Sequence, residues 1–147
     1  MRAPAHLSAF AVQPREGAVL IPGRAHARIS SGRTNGAFEV LELAGPEGDG
    51  PPPHIHHERQ ELFYVLRGKV EFTLGQDQVA VEAGSLVFVP NKTRHAFKLG
   101  PDAKLLAWVA PAGLEGFFRE LGEGMAAGKA QEEIRHALEA KYDSHPA

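Results

Sequence analysis

The chain has 147 residues, of which 43% are hydrophobic and 23% charged, and its formal net charge is −2. That length suits one folded domain, that composition excludes an intrinsically disordered chain, and that charge speaks against a nucleic-acid-binding surface. Cysteine is absent, which removes disulfides, thiolate ligands and a cysteine nucleophile, and no apolar run approaches the about 20 residues of a membrane span.

The amino terminus carries no apolar stretch of the kind that marks a signal peptide, so a cytoplasmic protein is expected. Residues 1–16, with Pro4 and Pro14, read as an extended N-terminal arm or loose first strand. Residues 17–111 break into short alternating runs punctuated by Gly, Pro, Asn and Asp, the pattern of an all-β sandwich or barrel. The clearest runs are 36–44, 61–67, 69–74, 78–82, 85–89, 94–99 and 103–110. In run 69–74, Val70, Phe72 and Leu74 share one face; in run 78–82, Val79 and Val81 do the same, the signature of strands with one buried face. Residues 112–147 read as a helical extension. Leu114, Phe117, Phe118 and Leu121 recur at helical spacing, with the helix ending near Gly122 and Gly124. A second helix is expected over 131–141 with Ile134 and Leu138 on one face, and both helices are expected to pack outside the barrel.

The chemistry concentrates in the stretch from Gly48 to Gly68. On an extended strand, residues i and i+2 project to the same side, so His54 and His56 present two imidazoles to one point while His57 faces away. A short loop then lets the next strand re-enter with Glu61 inward, ahead of Phe63 and Val65 on the same face. A carboxylate ending an apolar stripe is costly unless it is paired or bound to metal. His95, with Phe97 and Leu99 on its own face, is a fourth candidate. Three imidazoles and one carboxylate suit a single divalent transition metal: Mn, Fe, Co, Ni, Cu or Zn. Such a centre stays net positive, which favours an anionic small-molecule substrate such as an enolate.

These residues resemble the cupin superfamily. Its first motif, G-x5-H-x-H-x(3,4)-E-x6-G, is matched by Gly48, His54, His56, Glu61 and Gly68. Its second, G-x5-P-x-G-x2-H-x3-N, is matched by Gly84, Pro90 and His95, with Lys92 and Leu99 in place of the glycine and asparagine. Asn91 is expected to take the left-handed conformation that the glycine would supply. The stretch from Ala110 to Phe118 is similar to the tail of small, quercetinase-like cupins. The resemblance implies a single jelly-roll β-barrel with the metal in its mouth, held by His54, His56, Glu61 and His95, and commonly a homodimer.

A dioxygenase resembling quercetinase, acting on a small enolic or phenolic compound, is the leading expectation. Glu61 would be both ligand and catalytic general base. A cupin isomerase or lyase using the metal as Lewis acid, and a non-catalytic small-molecule-binding or sensor protein, share the same four residues. No helix-turn-helix is recognisable, and neither nucleic acid nor membrane is an expected partner. Phe63, Phe72, Phe88 and Phe97 are expected in the barrel interior; Trp108 and the row Leu62, Tyr64, Leu66 are expected outside, needing a cover from the tail helices or a second subunit. His6, His26, His136 and His145 are expected to be solvated, and Arg59, Lys92 and Arg94 to be solvated or to rim the site mouth.

Overall fold

Alternation along the strands becomes two facing antiparallel sheets in the computed structural model, which describes residues 6–147. The first five residues of the expected arm lie outside the described residues; from His6 to Gly17 the backbone is irregular. The strands are β1 (Ala18–Ile21), β2 (Ala25–Ile29), β3 (Glu39–Ala44), β4 (His54–Ile55), β5 (Gln60–Arg67), β6 (Lys69–Leu74), β7 (Asp77–Glu82), β8 (Leu86–Val89), β9 (His95–Leu99), β10 (Lys104–Ala110) and β11 (His145–Pro146). One sheet runs β1-β2-β3-β10-β5-β8 and the other β11-β4-β9-β6-β7. This is the expected all-β jelly-roll barrel. The sequence runs did not mark β1, β2 or β11 individually.

Inward residues of both sheets build the core. Phe63, Phe72 and Phe97 meet with ring centroids 5.2–5.9 Å apart, and Val65, Leu41 and Leu105 are fully buried beside them. Each such side chain contributes about 1.5–3 kcal/mol through burial. Two expectations fail here. Phe88 is 57% exposed, because β8 turns Val87 and Val89 inward and leaves Leu86 and Phe88 outside. Strand β7 buries its apolar face only in part: it is the edge of its sheet, Val79 stays exposed, and Val81 alone packs half-buried against the core.

The helices are α1 (Glu115–Ala126) and α2 (Gln131–Leu138). α1 does not stop at Gly122 and Gly124 but runs through both. A Cβ on Gly122 would stand 2.4 Å from the Leu20 carbonyl oxygen, and one on Gly124 2.7 Å from Ile134 Cδ1. The glycines therefore serve close packing of α1 on β1 and α2 rather than termination. Nor do the helices merely sit outside. Leu114, Phe117, Leu121, Ile134 and Leu138 join the main core, and side chains of both helices line one cavity with the inward strand residues, closing the barrel mouth. Glu39, fully buried at the start of β3, fixes this lid by accepting the backbone N–H groups of Gly113, Leu114 and Glu115 at the start of α1.

Candidate metal centre

The two sheets supply the site from opposite sides. His54 on β4 pairs directly with His95 on β9, and His56 follows β4 on the same side, two residues on. Glu61 enters from β5 in the facing sheet, paired with Val89 and Val109. The imidazole centroids lie 4.2–5.2 Å apart. One donor atom from each of the four residues lies within 4.8 Å of the others. Glu61 Oε2 is 2.8 Å from His95 Nε2 and 3.6 Å from His56 Nε2. His57 points away, exposed, its ring 4.4 Å from that of His145.

Each imidazole is oriented by its outer nitrogen. Nδ1 of His54 lies 2.9 Å from the Pro52 carbonyl, Nδ1 of His95 lies 2.8 Å from the Thr93 carbonyl, and Nδ1 of His56 lies 2.7 Å from the Asp143 carbonyl. A carbonyl oxygen only accepts, so each Nδ1 carries the proton and each Nε2 is turned toward the common point. His56 Nε2 is buried without a hydrogen-bond partner. An orphaned imidazole nitrogen there fits a metal ligand and little else. Four donors grouped this closely, all nitrogen and oxygen, would suit one divalent transition metal.

The electrostatics reflect how closely the four residues are grouped. Burial pulls the His54 imidazole down to about 3, reinforced by the neighbouring His95, so it is neutral at ordinary pH. Burial would raise Glu61, but the hydrogen bond from His95 and the surrounding imidazoles outweigh it and hold the carboxyl low. Burial would lower His95, yet its bond to Glu61 holds it high. The turn before His95 is built differently from expectation. Lys92 itself is left-handed, with φ 63°, and its N–H donates to the His56 carbonyl at 2.7 Å. Asn91 instead donates its side-chain amide to the His57 carbonyl. The turn thus clamps the second-motif strand to the first-motif histidines.

The match to a cupin domain model spans residues 41–109, which hold all four residues and both histidine strands. The chain belongs to the cupin superfamily. It is 30% identical over 117 residues to quercetin 2,3-dioxygenase of Bacillus subtilis, covering 78% of this cupin but only 35% of that protein. The chain therefore spans about a third of that relative's length. Among solved structures it resembles KdgF from Halomonas sp., with a TM-score of 0.59 and 20% identity over 71% of this chain and 94% of that one. It also resembles the polyketide cyclase RemF from Streptomyces resistomycificus, with a TM-score of 0.54 and 25% identity over 72% of this chain and 80% of that one.

Other expected positions resolve variously. His6 and His136 are exposed. His26 is not solvated: its Nε2 is buried, and its Nδ1 lies 4.0 Å from Glu42. His145 is not free either, since it sits on β11 with Nε2 3.1 Å from the Asp143 carboxylate. Arg59 donates to the carbonyls of Pro111 and Ala112, and Arg94 to that of Gly75, so neither is a solvated or rim cation. Two residues that sequence reading passed over matter more. Asp143 holds His56, and Arg135 of α2 lines the cavity above the four donors. Nothing local in the sequence marks either one.

Proposed function

We propose that this cupin is a metal-dependent enzyme whose ion is held by His54, His56, Glu61 and His95, and that it oxidises a small enolic or phenolic compound with dioxygen. The observation that carries the reading is the convergence of three oriented Nε2 atoms and one buried carboxylate on a single point. A bound divalent ion supplies Lewis acidity and, where redox-active, electron exchange with dioxygen. The residues around it do the positioning. His54 and His56 would hold the ion through Nε2, and Glu61 would take the hydroxyl proton of the substrate on Oε2, the oxygen that accepts from His95. Phe63, Phe97 and Leu99 give the cavity apolar walls that exclude water. Its volume of about 80 Å³, against about 300–1,000 Å³ for ordinary ligand clefts, supports a compound of few heavy atoms.

The name of the Bacillus relative supports oxygen chemistry, whereas that of the Streptomyces cyclase supports a non-oxidative, Lewis-acid reading of the same centre. Elemental analysis followed by oxygen-electrode assays across catechols, diketones and flavonols separates them. Uptake with a catechol or diketone is expected; turnover that persists under argon would replace the oxygenase with the Lewis-acid enzyme, and tight binding without turnover would leave a binding protein.

A second copy of the chain is the proposed cover for the outer face of the six-stranded sheet. Trp108, Leu62 and Phe88 stand in one cross-strand row, and Leu106, Tyr64 and Leu86 in the next. The tail helices lie across the barrel mouth and leave this face uncovered, with Leu86 and Phe88 mostly exposed.

A further inference from the structure

Beyond the four donors, the cavity walls are mainly apolar, and among the few polar groups are Arg24, Asp49 and Arg135. Arg24 and Asp49 satisfy each other at 3.2 Å. Arg135 is different. It is half-buried on α2, and among the described residues its guanidinium makes no hydrogen bond or ion pair; its one ring contact is with Phe117, 5.8 Å from the centroid. Burial pulls this guanidinium below its ordinary value, opposed only by the charge of Asp49, which is already engaged by Arg24. An unpaired cation in an apolar wall is costly to keep. Arg135 also lines the outer groove between residues 51–53 and the C-terminal tail, which shares His54, Phe117 and Ser144 with the inner cavity. It therefore stands between the entrance and the four donors.

We infer that Arg135 is a substrate-anchoring residue, and that the substrate carries a carboxylate set apart from the oxygens that reach the metal centre. The planar guanidinium fork matches a carboxylate in two parallel hydrogen bonds. The site then has two positive poles across an apolar gap, the loaded centre at one end and Arg135 at the other. This rests on the metal-centre reading for one pole only.

The test is calorimetry under argon on the Zn²⁺-loaded protein, as wild type, Arg135→Gln and Arg135→Lys. The probes are 3,4-dihydroxybenzoate, 3,4-dihydroxyphenylacetate and uncharged 4-methylcatechol. The expected result is a preference for at least one acid over 4-methylcatechol that drops by about tenfold or more in Arg135→Gln and partly returns in Arg135→Lys, with 4-methylcatechol binding unchanged. The same preference in wild type and Arg135→Gln, or no binding of either acid to wild type, overturns the inference. Failure of Zn²⁺ to load, with an Arg135-dependent preference for the acids intact, overturns the metal centre and leaves the anchor standing.

Discussion

Lys92 and Glu39 each carry a local cost, Lys92 in its left-handed backbone and Glu39 in a buried carboxyl, and a single substitution tests each. Lys92 adopts a left-handed backbone in the turn that clamps β9 to the histidine strand, at a cost of about 1–2 kcal/mol for a residue with a Cβ. Lys92→Gly should raise stability by about 1 kcal/mol in urea melts, a gain reduced by the freedom glycine adds to the unfolded chain; a loss would show that the Lys92 side chain stabilises the turn. Glu39 satisfies three N–H groups of the lid helix from a fully buried position. Glu39→Ala should cost about 1–3 kcal/mol, because those donors lose their acceptor. Burial holds the Glu39 carboxyl above its ordinary 4.5, against the opposing N–H groups of Leu114, Gly113 and Glu115. In that window the folded chain keeps a proton that the unfolded chain has released. The Glu39 contribution therefore declines as pH rises from about 4.5 through the raised value. Melts of wild type and Glu39→Gln across this range should show wild type losing ground to the variant as pH rises; parallel curves would contradict it.

The C-terminal tail is an element whose importance comes from where it lands. Beyond α2, Tyr142 packs on Phe117 and donates its hydroxyl to Glu120. Asp143 then accepts the N–H groups of His57 and Glu58 on its carboxylate and His56 Nδ1 on its carbonyl. Finally β11 adds to β4 as the edge strand, pairing His145 with Ile55 and Pro146 with His54. The tail thus orients one candidate ligand and stiffens the strand that carries another. Removing residues 142–147 should weaken metal binding by about 10–100-fold, the usual effect of losing a group that orients a ligand, in competition with a chromophoric chelator. His56→Ala, which removes the donor itself, should weaken it further. If the truncated chain bound metal as wild type does, the tail would be dispensable to the site.

For the whole molecule, the outer sheet face is the proposed seat of a second copy. Leu62, Phe88 and Trp108 form a continuous apolar row that ends at β8, the edge of its sheet. A dimer in sedimentation velocity at micromolar concentration is expected, and Leu86→Lys with Phe88→Lys should convert it to monomer with metal content unchanged. A monomeric wild type would remove the second copy as the cover. The cavity with the four candidate ligands lies on the inner side of the barrel, under α1 and α2, so the proposed dimer face and the candidate chemistry occupy different surfaces.

The strand pattern and the placing of His54, His56, Glu61 and His95 were readable along the chain. Period-two alternation and the i, i+2 spacing are local properties of extended backbone, and they hold whatever the strands pair with. Tertiary contact was needed for the rest. Glycines 122 and 124 read as helix ends because a sequence does not show what a helix lies against; in the fold they admit Leu20 and Ile134. Phe88 reads as core because hydrophobicity says nothing about which face of an edge strand is inside. The groups that orient the imidazoles are backbone carbonyls, which every residue has and no residue type announces. The one that holds His56 comes from Asp143, 87 positions away. The spacing of the candidate ligands His54, His56 and Glu61 is written in neighbouring residues, whereas His95, the supporting groups and the lid are brought to them only by folding.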